Sequence, residues 1–132
     1  MPVLYELAVL GVPTADQLAE LEAIMANAVQ AFGLRLGREV GWSVCPADFQ
    51  PNQRNAAAAV FFGGAGATST GLSELLQRAI PILPVVSEMT RVRDELPEVL
   101  RHINCLDYRA GGARRVATAL LECAGLLPRQ RR

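Results

Sequence analysis

Residues 56–87 read AAAAVFFGGAGATSTGLSELLQRAIPILPVVS, and this stretch decides the fold of the chain. It opens with the continuous apolar run Ala56 to Phe62 and closes with a second apolar run, Ile82 to Val86. Between them lie a loop of Gly, Ser and Thr and a segment whose apolar residues recur at helical spacing up to Pro81. This pattern predicts a strand–loop–helix–strand unit, the βαβ element of a parallel sheet whose two faces are both covered.

The segment before this unit predicts another strand and another helix. Val3 to Val12 is a mostly apolar run that ends at Gly-Val-Pro, as a buried strand would. Thr14 follows as the N-cap, and Gln17 stands three residues further on, which is the capping-box pattern. Gly33 is expected to end the helix. The predicted apolar stripe of this helix consists of Leu18, Leu21, Ile24, Met25, Ala28 and Phe32.

Further segments complete an alternating pattern. A loop bounded by Pro46 and Pro51, containing a helical turn, is expected to join the second strand to the third. Ser87 to Glu95 is polar and predicts irregular structure. The other predicted elements are a strand at Val40 to Cys45, a short helix after Pro97 with Val99 and Leu100 facing inward, a strand at Ile103 to Tyr108, and a helix after Gly112 that ends at Gly125.

Strands and helices alternate along the chain with short connections, which predicts a parallel sheet with right-handed crossovers. The expected fold class is therefore α/β with three layers: a five-stranded parallel sheet of flavodoxin-like order 2-1-3-4-5, with helices on both faces. In this order the topological switch point, where ligands usually bind, lies between the carboxyl ends of strands 1 and 3. The loops at that point are Gly11–Thr14 and Gly63–Thr70.

Length and charge favour one domain with an uneven charge distribution. Of the 132 residues, residues 1–127 are expected to form the domain, and residues 128–132 a basic tail that links it to a further domain. The net charge is zero, so neither nucleic acid nor a membrane is expected as a partner. Acidic residues dominate before Arg35 and arginines dominate after Asp107. Head-to-tail association is one interpretation of this asymmetry, and an ordinary solvated surface is the other.

The composition argues against several kinds of catalytic and metal-binding site. All 13 basic residues are Arg, which excludes P-loop, Schiff-base and lysine-base chemistry. Cys45, Cys105 and Cys123 show no ligand spacing and are interpreted as reduced thiols of a cytoplasmic protein. His102 is the only histidine, so no metal site is expected. Neither a signal peptide nor a membrane-spanning run is expected.

The loop and the start of the helix in the central strand–loop–helix–strand unit carry the residues that indicate a binding or catalytic site. Glycines allow close backbone approach and a helix N-terminus favours anions, so a phosphate is one expectation and a tight connection without a ligand is the other. Glu74 is expected in the first turn of the helix, where its carboxylate would hold a ribose hydroxyl, stabilise an oxocarbenium-like centre, or interact only with the helix dipole. The candidate catalytic residue is Glu74, and the candidate ligand-binding residues are Gly11, Thr14, Gly63, Gly64, Gly66, Thr68, Ser69 and Thr70.

The run VFFGG, followed by Ser and Thr residues and then by GLSELLQRAIPILPVV, resembles the Toll/interleukin-1 receptor (TIR) superfamily in a divergent form. The resemblance covers the middle third of the chain by motif and the rest by topology. It implies a bacterial signalling or defence domain whose partner is a second copy or another TIR or effector domain. In catalytic members a glutamate on this helix serves hydrolysis of the nicotinamide ribosyl bond of NAD. The resemblance therefore implies the catalytic position for Glu74, with Ser69, Thr70 and Ser73 near it.

The chain departs from the family pattern after its first strand, where the aromatic, Ser and acidic segment is missing, and this departure implies a member that is degenerate in catalysis. The expected function is self-association together with recognition of NAD as a nucleotide ligand, with no cofactor. The alternative is an active NAD or nucleotide N-glycosidase that uses Glu74. Nucleoside deoxyribosyltransferases and lysine-decarboxylase-like phosphoribohydrolases are similar in their glycine loops and also cleave an N-glycosidic bond. A non-enzymatic receiver or scaffold domain is a further alternative.

Overall fold

A computed structural model describes residues 5–44, 57–64 and 72–126 of the chain. Single 3₁₀ turns at Met89–Arg91 and Glu98–Leu100 lie before and after a short helix at Val92–Glu95. In chain order the strands and helices are β1 (Tyr5–Gly11), α1 (Ala15–Gln30), β2 (Val40–Val44), β3 (Ala58–Phe62), α2 (Leu72–Gln77), β4 (Ile82–Val86), α3 (Val92–Glu95), β5 (Leu106–Asp107) and α4 (Tyr108–Cys123). From β3 onward, and from β1 to β2, strands and helices alternate as predicted, whereas the connection between β2 and β3 lies almost entirely outside the described residues.

The five strands form one parallel sheet in the order β2-β1-β3-β4-β5, which confirms the α/β class and the flavodoxin-like order. Strand β1 pairs with β2 on one side and with β3 on the other, so Val9 lies opposite both Val44 and Val60. At the carboxyl end of β1, Gly11 lies opposite Phe62 of β3. The switch point of the sheet is therefore at the predicted position.

Side chains of β1 alternate between two cores, as the pleat of a strand requires. Leu7 and Val9 pack with α1 and α4 on one face, whereas Ala8 and Leu10 pack with α2 and the segment around Leu100 on the other. Strands β3 and β4 are buried at every position, which explains why both read as uninterrupted apolar runs. The sheet is thus the middle of three layers.

Pro84 is buried within β4 although proline has no N–H to donate to a ladder. The N–H of Gly63 donates to the carbonyl oxygen of Val85 over 2.8 Å, so the backbone groups of Val85 face β3 and those of Pro84 face the opposite side. On that side β5 pairs only with Val85 and Val86. The missing N–H of Pro84 therefore costs no hydrogen bond between strands.

The first helix ends earlier than its apolar stripe predicts. Helix α1 ends at Gln30, and Gly33 adopts a left-handed φ of +74° while the N–H of Leu34 donates to the carbonyl oxygen of Val29 over 3.1 Å. Gly33 therefore closes the helix as predicted. The assignment of Phe32 to the buried stripe is wrong, because this side chain lies in the closing turn and is 43% exposed.

Other predicted elements differ from the structure in length or position. Helix α2 ends at Gln77, short of the predicted Ile80, and Ala79 takes a left-handed φ of +59°. Strand β5 has two residues where six were predicted, because only these residues pair with β4. After Pro97, Leu100 is buried as predicted, but Val99 is 37% exposed, so its predicted inward position is wrong.

The segment from Ser87 to Glu95, for which irregular structure is predicted, contains a 3₁₀ turn and the four-residue helix α3. Several predictions lie outside the described residues. These are the first two residues of the predicted first strand, Val3 and Leu4, together with Cys45, the loop from Pro46 to Pro51, Ala56, the site residues Gly66, Thr68, Ser69 and Thr70, and the basic tail at 128–132.

Candidate functional site

The ends of β1 and β3 approach each other closely at the switch point. Gly11 has a left-handed φ of +85°, and a Cβ atom at this position would lie 2.1 Å from the carbonyl oxygen of Phe62. The same oxygen accepts a hydrogen bond of 2.9 Å from the N–H of Val12. Gly11, which the sequence predicts as a ligand-binding residue, is therefore required by the fold itself, because only glycine allows the backbones of β1 and β3 to approach this closely.

Thr14 caps α1 at the same edge of the sheet. Its hydroxyl oxygen accepts a hydrogen bond of 3.1 Å from the N–H of Gln17, and the Gln17 side-chain oxygen accepts one of 2.9 Å from the N–H of Thr14. This confirms the capping box that the sequence predicts. The Thr14 hydroxyl is exposed, and its own proton remains available for donation to a ligand.

Gly63 and Gly64, which follow β3, pack against α3 and against the loop after β1. The N–H of Gly63 donates to Val85, and the N–H of Gly64 donates to the carbonyl oxygen of Glu95 over 2.9 Å. A Cβ atom on Gly64 would lie 2.7 Å from Cγ2 of Val12. The loops after β1 and β3 are therefore in contact. Because both glycine N–H groups already have acceptors, they are not free to bind a phosphate.

Glu74 is the third residue of α2, the helix that follows β3. A chain leaves a parallel strand at its carboxyl end, so the first turn of this helix belongs to the same edge as Gly11, Thr14 and Gly63. Leu72 and Leu75, on either side of Glu74 in sequence, are both buried in the core beneath α2. These two anchors fix the backbone of α2 at Glu74, whose side chain lies outside what the structure describes.

Glu95 is a buried carboxylate near this edge that the sequence analysis did not identify. It is 8% exposed and accepts a hydrogen bond of 2.8 Å from the N–H of Ser87 and a second one from the Ser87 hydroxyl. Arg91 pairs with it at 3.2 Å. A glutamate in a polar, arginine-rich segment carries no local signal of burial, because its partners are fixed only by the tertiary fold. Among the described residues, the one further buried carboxylate is that of Glu39, which pairs with Arg35 just before β2, away from this edge.

Tyr108 and Glu20 form a second polar contact that the sequence analysis missed. The Tyr108 ring, just after β5, lies 6.2 Å from the ring of Phe62 at the end of β3. Its hydroxyl donates a hydrogen bond to the carboxylate of Glu20 on α1. Burial first, and then the hydrogen bond and negative charge of Glu20, raise the pKa of Tyr108 to about 12. This contact ties α4 to α1 beside the switch point.

We expect the ionisation of Tyr108 to report this contact. Tyr5 and Tyr108 are the only tyrosines, so in a Tyr5→Phe variant the near-ultraviolet absorbance follows Tyr108 alone. Its midpoint should lie near pH 12, and adding Glu20→Gln should lower it toward 10, whereas the exposed Glu22→Gln should not. Since the folded pKa exceeds the unfolded value, the stabilisation is fully present below pH 10 and is lost as the pH rises through about 12. A midpoint near 10 in every variant would contradict the contact.

The remaining candidates of the sequence analysis have ordinary environments. His102 is exposed, and Cys105 and Cys123 are not joined in a disulfide. Within residues 5–44, 57–64 and 72–126, no group of three or more His, Cys, Asp or Glu side chains is arranged to hold a metal ion. Among the described residues, two open hollows of about 610 and 590 Å³ have no lining residue from Gly11 to Thr14 or from Gly63 and Gly64; the first is beside Met89 and His102 and the second beside Ile103 and Cys123.

Comparison with family models, curated proteins and solved structures finds no significant match for this chain. In the part of the chain that the structure describes, no helix combines the length and apolar character needed to cross a membrane.

Proposed function

We propose that this domain binds a nucleotide of the NAD type at the carboxyl edge between β1 and β3, and that it works as a self-associating signalling or defence domain, as its resemblance to the TIR superfamily implies. The observation that supports this best is the sheet order. At the switch point of this order the loops after β1 and β3 meet, and α2, which carries Glu74, is entered from the same edge.

Recognition of ribose is the part of this proposal that the site favours. A carboxylate accepts hydrogen bonds from neighbouring ribose hydroxyls, and such charge-assisted bonds are stronger than neutral ones. We assign this contact to Glu74, and Thr14 has a hydroxyl proton to donate at the same edge. Because the N–H groups of Gly63 and Gly64 are engaged within the protein, the phosphates are not assigned to these glycines.

The alternative function is hydrolysis of the N-glycosidic bond of NAD. In that reaction the bond between nicotinamide and C1′ of the ribose breaks, and the oxygen of water forms a bond to C1′. The products are nicotinamide, ADP-ribose and a proton. A carboxylate such as that of Glu74 would stabilise the oxocarbenium-like transition state.

Calorimetric titration with NAD, combined with measurement of released nicotinamide, tests the two functions together. The proposal predicts saturable binding with no nicotinamide release, because the domain is degenerate in catalysis. Release that depends on Glu74 would instead establish the N-glycosidase. If NAD, ADP-ribose and adenosine nucleotides all fail to bind, nucleotide recognition is refuted.

Self-association is supported by the charges of α1 and α4, which pack side by side on one face of the sheet. Helix α1 exposes Asp16 and Glu22 and contains no basic residue, whereas α4 exposes Arg114 and Arg115. Because α1 and α4 lie side by side, we propose a twofold dimer in place of head-to-tail association: the acidic helix of each copy would lie against the basic helix of the other, so two attractive contacts would form at once.

We expect the molar mass from light scattering to rise with protein concentration at low salt and to fall toward that of the monomer as salt screens the charges. Arg115→Glu should weaken this association at low salt. Arg38→Glu makes the same charge change at an exposed turn outside both helices and should not. A mass of one chain at every concentration and salt level would contradict self-association.

A further inference from the structure

We propose that Glu95 is a positioning residue for the carboxyl edge. Its buried carboxylate fixes α3, and α3 in turn holds Gly63 and Gly64 at the start of the connection that leads to Glu74. The effect on nucleotide binding rests on the proposed function, whereas the effect on the glycine backbone does not.

The carboxylate of Glu95 joins α3 to the end of β4. One of its oxygens accepts from the N–H of Ser87, 2.8 Å away, and the other accepts from the Ser87 hydroxyl. The second oxygen also lies 3.2 Å from Nε of Arg91, one turn earlier in the chain. A buried carboxylate without such partners would be strongly disfavoured, so these contacts fix the conformation of residues 87–95.

The backbone of the same residue joins α3 to the end of β3. The carbonyl oxygen of Glu95 accepts a hydrogen bond of 2.9 Å from the N–H of Gly64. A Cβ atom on Gly63 would lie 2.8 Å from that oxygen and 2.9 Å from Cδ2 of Leu96, so only glycine allows this packing. Glu95 therefore bonds to the end of β4 through its side chain and to the end of β3 through its main chain.

Loss of the carboxylate should release α3 and hence the glycine backbone. A ligand that binds only the ordered edge loses affinity in proportion to the fraction of molecules that remain ordered. If about nine molecules in ten have a released edge, affinity falls about tenfold without any change in the groups that touch the ligand. Loss of affinity through loss of order, with the contacting groups unchanged, distinguishes a positioning residue from one that contacts the nucleotide.

Amide hydrogen exchange in the ligand-free protein tests the backbone part of the proposal. We expect Glu95→Ala to accelerate exchange of the Gly64 amide at least tenfold relative to amides of β1. Glu95→Gln, which keeps an acceptor for the N–H of Ser87, should restore most of the protection. Ser87→Ala removes one donor while leaving the carboxylate in place, so it should give an intermediate acceleration even if Glu95→Ala fails to fold.

Val29→Ala is the matched control, because Val29 is fully buried in the core on the opposite face of the sheet. It should destabilise the whole domain without raising the ratio of Gly64 exchange to β1 exchange, because global unfolding exposes both sets of amides together. Equal ratios in Val29→Ala, Ser87→Ala and Glu95→Ala would overturn the positioning role.

NAD titration of the same variants tests the link to the ligand. Glu95→Ala should bind NAD about tenfold more weakly, and Glu95→Gln should recover most of that loss. Unchanged affinity in a Glu95→Ala protein whose Gly64 exchange is accelerated would refute the coupling. If NAD binds neither the wild type nor any variant, the proposed function fails, and Gly64 exchange alone decides the role of Glu95.

Discussion

Replacing Gly11 with alanine should remove most of the folding free energy of this domain. The added Cβ atom would lie 2.1 Å from the carbonyl oxygen of Phe62, a backbone atom that cannot turn aside. The left-handed φ of +85° adds about 1–2 kcal/mol for a residue with a Cβ atom. Together with overpacking between two central strands, we expect a loss above about 4 kcal/mol, against a usual total of about 5–15 kcal/mol.

Gly33→Ala is the matched control for this prediction. Gly33 also has a left-handed φ, +74°, but a Cβ atom there would meet nothing within 4 Å. Its substitution should therefore cost only the conformational term, about 1–2 kcal/mol. Urea unfolding of the two variants gives the comparison directly. Equal losses would show that the approach of Gly11 to Phe62 is not what requires glycine at the switch point.

The second large effect is expected from Glu74→Gln on nucleotide binding. A hydrogen bond to a charged group contributes about 1.5–3 kcal/mol, so loss of the charge at Glu74 should weaken NAD binding about 10- to 100-fold. The fold should be unaffected, because the core beneath α2 is made by Leu72 and Leu75. Calorimetry and urea unfolding measure the two quantities separately.

Glu22→Gln makes the same charge change at an exposed position of α1 and controls for the net charge of the domain. We expect it to leave NAD affinity unchanged. If Glu74→Gln binds NAD as tightly as the wild type, Glu74 does not hold the ribose, and its interaction with the dipole of α2 becomes the better explanation. If the wild type releases nicotinamide and Glu74→Gln does not, the N-glycosidase alternative replaces pure recognition.

The sheet could be predicted because its central strands carry their own signal. Continuous apolar runs such as Val60 to Phe62 are typical of strands buried on both faces, and the alternation with helices fixes a parallel order. The ends of elements were less predictable. The burial of Phe32 depends on where α1 closes, and the length of β5 depends on where its neighbour β4 ends. These are tertiary properties that local spacing does not contain.

In the candidate site, too, the tertiary contacts could not be predicted from local sequence. The sheet order that places the switch point between β1 and β3, and the capping box of Thr14, could both be predicted from the sequence. Phosphate binding was one interpretation of Gly63 and Gly64, whereas the structure shows both glycines packed against α3 with their N–H groups engaged. The burial of Glu95 could not be predicted, because its partner Ser87 lies eight residues away in a segment without periodicity. Contacts of this kind become visible only in the folded chain.

The most direct test of the proposed binding edge is an NMR titration of the ¹⁵N-labelled protein with NAD. Amide shifts should change at the carboxyl edge, in Gly11, Val12 and Thr14, in Gly63 and Gly64, and in the first turn of α2 around Glu74. Amides at the opposite edge of the sheet, such as those of Glu39 and Asn104, should stay in place. Shift changes confined to that opposite edge, or no changes at saturating NAD, would contradict a nucleotide site between β1 and β3.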